Sequence, residues 1–428
     1  MNRGVYTLAL RFFAPLLWLW MARRAKRAGG QWQVFSPERF GHAPKAPSPI
    51  TDFAWHSPVW VHAVSLGETR AAQPLLQALL VRGLPVLLTH MTATGRAEGQ
   101  RLFADAVSRG QLRQAWLPYD FPGATRRFMR AYQPRCGLLI EREIWPNLLA
   151  AARAAGVPMA LVSARYSASS LRQAKRMGSV MHEALAGLNS VLAQTAEDAA
   201  RLVQAGAPVP VVTGNLKFDL VLPAAQVQAG CEWRARLGRP VVAIASTREG
   251  EDAPFIDAIK RHSGQPNAPL FLLIPRHPQR FDEAARLLND AGLPFMRRSA
   301  GGEPTAETSV LLGDSLGEMA FYYAASDVAI VAGSFAPLGG QNLIEACAAG
   351  VPVIVGPHTF NFKQAAEDAI AAGAVLRQPD PQAAVDAAIA MLNDEARRRE
   401  ASKAARRWFE LHAGATQRTM DALSAWLG

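Results

Sequence analysis

The chain has 428 residues, half of them hydrophobic, and carries 46 Lys and Arg against 35 Asp and Glu, a formal net charge of +11. That length exceeds one ordinary domain and supplies apolar material for two cores. The basic excess favours polyanionic partners, namely phosphorylated substrates, nucleic acid or an anionic membrane face. The three cysteines, Cys136, Cys231 and Cys347, have no metal-ligand spacing and suit a reducing, cytosolic setting.

The first element is an apolar run from Val5 to Met21, followed at once by Arg23, Arg24, Lys26 and Arg27. The charges follow the run and no small-residue cleavage site appears, which argues against a cleaved signal peptide. Basic residues after the run would keep the remainder on the cytoplasmic side. Arg11 and Pro15 interrupt it, and the aromatic pairs Phe12–Phe13 and Trp18–Trp20 suit an interfacial anchor as well as a span. Residues 1–28 are therefore expected to anchor the chain to a membrane, with spanning and lying flat both open.

After a proline- and glycine-rich stretch (29–58), short apolar runs alternate with helix-length segments. Expected strands in the first half are 59–64, 86–89, 137–140, 158–162, 191–193 and 211–213; those in the second are 241–245, 270–274, 310–312, 328–331 and 353–355. Such strands between helices imply buried parallel sheets. AAGVPMALVS (154–163) returns in kind as AAGVPVIVGP (348–357), each a helix stop, a proline and a new strand. The rhythm lapses over 221–238. The domains expected are thus 29–220 and 239–428, with 221–238 as linker. Neither half opens on G-x-G-x-x-G, which disfavours a nicotinamide-binding fold. The expected fold class is α/β of the GT-B kind: two Rossmann-like, doubly wound domains facing a central cleft, behind an N-terminal hydrophobic segment.

In parallel sheets, ligands bind beyond the carboxyl ends of the strands. The unusual residues gather there: Ser65-Leu66-Gly67-Glu68, the hydroxyl-rich 89–95, Glu141-Arg142-Glu143, and Gly214-Asn215-Leu216-Lys217 in the first half. In the second half, Thr247-Arg248 and Pro275-Arg276-His277 combine a helix start with an arginine, an anion-binding arrangement. The strings Gly313–Glu318 and Gly339–Glu345 are further strand-to-helix turns, and Glu345 suits hydrogen bonds from ribose hydroxyls better than contact with phosphate. Helix capping produces similar strings singly. Their repetition at consecutive strand ends is what points to a site.

Taken in order, HAVSLGE (62–68), MTATG (91–95), EREIWPN (141–147), SARYS (163–167), GNLKFD (214–219), ASTREGE (245–251), PRHPQRF (275–281), GDSLGEM (313–319), GGQNLIEA (339–346) and GPHTFNFK (356–363) resemble the Kdo transferases of Gram-negative lipopolysaccharide assembly. The family commonly has threonine where Arg142 stands, histidine at Arg248 and Gln341, and proline at Leu343. The resemblance implies inverting transfer of Kdo from CMP-Kdo to a hydroxyl of a lipid A precursor (lipid IVA). It implies Glu68 as general base, Glu141 as second catalytic carboxylate and Lys217 as electrostatic support. It places CMP on Pro275, Arg276, Leu316, Gly317, Glu318, Asn342, Leu343, Ile344 and Glu345. It further implies an enzyme of the bacterial inner membrane, catalytic domains on the cytoplasmic side, in contact with anionic lipids. No cofactor, metal or nucleic acid is expected: Asp-x-Asp is absent, and the Glu-x-Glu strings 141/143 and 249/251 are weak substitutes. Two other readings stand beside this one. One is a GT-B enzyme using a UDP-sugar, of the lipid disaccharide synthase or epimerase type, which requires UDP to bind in place of CMP. The other is a non-catalytic nucleotide- or nucleic-acid-binding protein, in which Glu68 is dispensable.

Overall fold

The structure, a computed structural model, describes residues 1–27, 32–44, 55–265 and 267–428; residue 28 of the expected anchor, and 29–31 and 45–54 of the proline- and glycine-rich stretch, lie outside the described residues. The chain forms two compact units, residues 1–220 with 413–428, and residues 221–412. Each holds one seven-stranded, wholly parallel sheet.

The first sheet comprises β1 (Val59–His62), β2 (Val86–His90), β3 (Leu112–Trp116), β4 (Cys136–Ile140), β5 (Met159–Ala164), β6 (Ser190–Ala193) and β7 (Val211–Val212), in the order β3-β2-β1-β4-β5-β6-β7. Helices cover both faces, so the central strands are apolar at every position. Alternate side chains enter different cores: Trp60, Leu87 and Leu139 pack on one face, Val61, Leu88 and Leu138 on the other. Gly137 makes room for this packing, since a Cβ there would lie 2.7 Å from the Trp60 ring. The second sheet comprises β8 (Val241–Thr247), β9 (Leu270–Pro275), β10 (Phe295–Arg297), β11 (Val310–Leu312), β12 (Val328–Val331), β13 (Val353–Val355) and β14 (Val375–Arg377), in the order β10-β11-β9-β8-β12-β13-β14. Both units are Rossmann-like α/β domains.

Three strands, β3, β10 and β14, were not expected from the sequence. All three are edge strands. An edge strand is covered less completely, so it keeps polar residues such as Arg113, Gln114, Arg297 and Arg377 and shows no apolar run. Two boundaries also differ from the sequence reading. Residues 221–238 are largely a helix, Ala224–Leu237, which packs on the helix Met319–Ala324 of the second unit. Gly230 permits that approach: a Cβ there would lie 2.5 Å from the Phe321 carbonyl oxygen. The last sixteen residues return to the first unit. Asp219 accepts the N–H groups of Gly414, Ala415 and Thr416, and Ala415, Met420, Leu423 and Leu427 join its core.

The N-terminal segment is one helix, Arg3–Arg27, long and apolar enough over Arg3–Arg23 to cross a membrane by length and composition. One stripe docks on the first unit. Ala14, Met21 and Ala25 are buried, and Trp18 lies among Phe35, Phe40, Tyr119 and Phe121. Tyr6 donates to Asp120 (3.0 Å), and Asp120 in turn caps the helix Pro146–Ala154 by accepting the N–H groups of Asn147 and Leu148. The opposite face leaves Leu8, Phe12 and Leu16 exposed at 68%, 75% and 65%.

Candidate active site

Between β1 and β4 the winding of the first sheet reverses: the chain leaves β1 towards β2 and β4 towards β5. Such a switch point opens a crevice at the strand ends. Glu68 and Glu141 follow these two adjacent strands. Ser65 caps the helix Leu66–Ala71, its Oγ accepting the Glu68 N–H at 3.5 Å, while Glu68 Oε2 accepts the Val64 N–H at 2.6 Å. The arrangement is a variant of the capping box, displaced by one residue. Burial pushes the Glu68 carboxyl up to about 8; Glu143 and Glu141 push it the same way, and the Val64 N–H and Lys217 oppose them.

Glu141 itself lies in the left-handed region, at φ +63°, with its N–H donating to the Val162 carbonyl at 3.0 Å. Such a conformation costs about 1–3 kcal/mol for a non-glycine residue and persists where surrounding structure imposes it, often at functional sites. Its cation is not its neighbour Arg142, which is exposed, but Lys217, whose Nζ donates to Glu141 Oε1 at 2.6 Å. Lys217 is set by the 3-10 turn Leu216–Asp219, where Asn215 accepts its N–H at 3.0 Å. The structure thus brings Glu68, Glu141 and Lys217 within electrostatic reach of one another from segments about 75 residues apart.

Glu143 accepts a hydrogen bond from Trp145 Nε1 (2.9 Å) and lies 3.9 Å from Nε2 of the fully buried His62. Sequence reasoning gave His62 no role; its signal was a lone histidine inside an otherwise apolar strand. The turn 89–95 proves to be a buttress. Thr92 Oγ1 donates to the Val64 carbonyl (3.0 Å) and accepts from the Gly95 N–H (3.2 Å), and a Cβ on Gly95 would lie 3.1 Å from the Ser65 carbonyl carbon.

In the second unit the turn after β8 is held by Glu251, a buried carboxylate that accepts the N–H groups of Arg248 (2.9 Å), Gly333 (2.6 Å), Phe335 (2.9 Å) and Ala336 (3.1 Å). Four backbone donors use up its oxygens, which removes the 249/251 pair from the candidate chelators. After β9, the Arg276 N–H donates to the Thr247 carbonyl at 3.0 Å. Burial lowers the His277 pKa, and Arg248 and Arg276 lower it further against the opposing Glu249. Positive charge therefore collects where β8 and β9 end. The buried Tyr323 phenol is raised by burial and then by Glu345, while Arg276 lowers it, so Arg276 and Glu345 share one neighbourhood.

Asn342 precedes its helix. The helix begins at Ile344; Asn342 Oδ1 accepts the Ile344 N–H (3.1 Å) and Nδ2 donates to Glu345 Oε1 (3.2 Å). Leu343 and Ile344 have fully buried side chains, and the Ile344 N–H is already engaged, so neither side chain is presented to a ligand. Their expected role as contact residues narrows to backbone and packing. Leu316 and Gly317 are exposed, Gly317 at φ +83° with its carbonyl accepting from Gln226 (2.9 Å). Glu318 pairs with Arg298 at 2.9 Å and accepts from Ser315. Pro275 is the buried last residue of β9.

Residues 36–220 match the family described as 3-Deoxy-D-manno-octulosonic-acid transferase (kdotransferase), and residues 299–408 that described as Glycosyl transferases group 1. The chain is 31% identical to the 3-deoxy-D-manno-octulosonic acid transferase of Haemophilus influenzae over 434 residues, covering 100% of this chain and 99% of that one. Among solved structures, UDP-GlcNAc 2-epimerase from Neisseria meningitidis bound to UDP-GlcNAc superposes with a TM-score of 0.60, over 86% of this chain and 100% of that chain; at 14% identity this likeness speaks for the fold alone. The 3-deoxy-D-manno-octulosonic acid transferase of Bordetella pertussis is 70% identical over 433 residues, covering 100% of both chains. Agreement of that extent along the whole length means that the chain belongs to the family of 3-deoxy-D-manno-octulosonic acid (Kdo) transferases and is a glycosyltransferase.

Proposed function

We propose that the enzyme transfers Kdo from CMP-Kdo to a hydroxyl of a lipid A precursor, with inversion at C2 of Kdo, and that Glu68 is the general base. The observation that carries this reading is the pair of carboxylates at the switch point, Glu68 after β1 and Glu141 after β4, with Lys217 closing on Glu141 at 2.6 Å. A base must want the proton it takes, and burial gives Glu68 a proton affinity near neutrality. Glu68 is then partly protonated near neutral pH, and transfer rises with pH as it ionises. Lys217 pairs with Glu141, an arrangement suited to orient the acceptor or to face a cationic sugar ring. On the second unit, Arg276 takes the phosphate of CMP through a charge-assisted bond, and Asn342 and Glu345 take the ribose. No metal is assigned a step.

The N-terminal helix supports attachment to a membrane, which this reading takes to be the cytoplasmic face of the inner membrane. Its docked stripe ties it to the first unit from Tyr6 to Ala25, and Leu8, Phe12 and Leu16 look outward. A helix held along its length with one apolar face free is suited to lie in the interface rather than to leave the protein and cross the bilayer. The test of the reaction is incubation of purified protein with CMP-Kdo and a tetraacylated lipid A precursor, followed by mass measurement of the lipid. Wild type adds Kdo; Glu68→Gln keeps its fold and CMP affinity but loses roughly 100-fold or more in single-turnover transfer. Transfer by Glu68→Gln at the wild-type rate rejects the mechanism, and transfer from a UDP-sugar instead of CMP-Kdo rejects the donor.

A further inference from the structure

The second sheet also reverses its winding, between β8 and β12: the chain leaves β8 towards β9 and β12 towards β13. Arg248 stands just beyond β8 at this point, and its surroundings are built with some care. Ser246, two residues earlier, lies in the left-handed region at φ +63°, and the β8–β9 register shifts between Ala245 and Thr247. An irregularity at a strand end re-aims the side chains that follow it, and such backbone persists where surrounding structure imposes it, often at functional sites. Glu251 Oε2 then accepts the N–H groups of both Arg248 (2.9 Å) and Gly333 (2.6 Å), which ties the turn after β8 to the turn after β12. A Cβ on Gly333 would lie 3.3 Å from Arg248 Cγ and 2.9 Å from Gln341 Cγ, so the glycine leaves room for both side chains at the switch point.

The placement also sets two like charges side by side. Thr247 pairs with Pro275, and the Arg276 N–H donates to the Thr247 carbonyl, so Arg248 and Arg276 each follow a paired residue on strands about 5 Å apart. Both act on His277. Like charges on neighbouring strands are destabilising. The acidic neighbour of Arg248 relieves little of this: Arg248 Nε donates to Glu249 Oε2 at 3.0 Å, but the Glu249 side chain is 59% exposed, and such a pair is weak and readily exchanged. Two arginines so placed fit a ligand that carries two anionic groups close together. CMP-Kdo is such a ligand. An octulosonic acid carries its carboxylate at C1, bonded to C2, and the phosphate of CMP is joined to the same C2 through oxygen.

We propose that Arg248 binds the carboxylate of the donor sugar, beside the phosphate taken by Arg276. This rests on CMP-Kdo being the donor. A planar guanidinium takes a carboxylate through two parallel N–H···O bonds, and Arg248 exchanges the exposed Glu249 for that partner. Held by both anions, C2 is fixed in orientation relative to its leaving group, as in-line attack requires.

CMP lacks the sugar carboxylate, which separates the two arginines experimentally. kcat/KM for CMP-Kdo and the inhibition constant of CMP are measured for wild type, Arg248→Ala and Arg248→Lys, with thermal unfolding as the check on folding. Arg248→Ala is expected to lower kcat/KM for the donor by about tenfold or more and to leave the CMP inhibition constant within about threefold. Arg248→Lys, which keeps the charge without the two-point geometry, recovers part of the loss. Should Arg248→Ala not fold, Arg248→Gln carries the same expectation. An unchanged kcat/KM overturns the proposal by removing Arg248 from the donor. A CMP inhibition constant that rises by the factor by which kcat/KM falls overturns it too, by placing Arg248 on the nucleotide. A wild-type enzyme that neither uses CMP-Kdo nor is inhibited by CMP rejects the donor reading beneath it.

Discussion

Glu68→Gln should stabilise the protein at alkaline pH while removing its activity, and the structure sets the size and sign of the effect. The Glu68 carboxyl is raised from its ordinary value of 4.5 to about 8, chiefly by burial. Between those values the folded protein holds a proton that the unfolded chain has released, so the unfolded state binds fewer protons and stability falls as pH rises. The loss is at most about 1.4 kcal/mol per pH unit for one group, begins near the ordinary carboxylate range and ends near pH 8. Glutamine never ionises and escapes it. At pH 5 the two proteins should therefore be of similar stability. At pH 9 the variant should lead by about 4–5 kcal/mol. Urea unfolding at pH 5, 7 and 9 reads the difference directly. Curves for the two proteins that stay parallel from pH 5 to 9 would refute the reasoning, because a carboxylate that ionises normally in the fold contributes no such slope.

Arg276→Ala should weaken CMP binding by roughly 1.5–3 kcal/mol in calorimetry, the worth of a hydrogen bond to a charged group; unchanged affinity would remove Arg276 from the donor site. Leu8 and Phe12 face away from the protein body, so Leu8→Glu with Phe12→Glu should leave thermal stability and CMP affinity intact. The same double change should sharply reduce co-sedimentation with anionic vesicles and transfer to lipid presented in them, and undiminished sedimentation would show that this face does not bind membrane.

The central strands of both sheets are legible in the amino-acid sequence because each is buried on both faces and must be apolar throughout, as Val59–His62 and Val241–Ala245 are. The residues beyond their ends are legible for a related reason. Glu68, Glu141, Lys217 and Arg276 are polar or charged at points where the chain has just left a core, and the strings they occupy are distinctive. The edge strands β3, β10 and β14 are not legible, since partial exposure lets arginine and glutamine interrupt the apolar pattern. Local pattern also cannot reveal long-range closure: nothing in the last sixteen residues says that they complete the core of the first unit, nor that Asp219 caps them.

Within the site, the sequence by itself determined which residue types stand at which strand ends, and through its full-length similarity the family and the reaction class. Only the tertiary structure decided their partners. Lys217 rather than the adjacent Arg142 neutralises Glu141, Leu343 and Ile344 turn inward, and buried His62 faces Glu143 from the neighbouring strand. The physical reason is that charge pairing, burial and proton affinity depend on distance through space. Parallel strand order brings residues 68, 141 and 217 together, although they lie far apart along the chain.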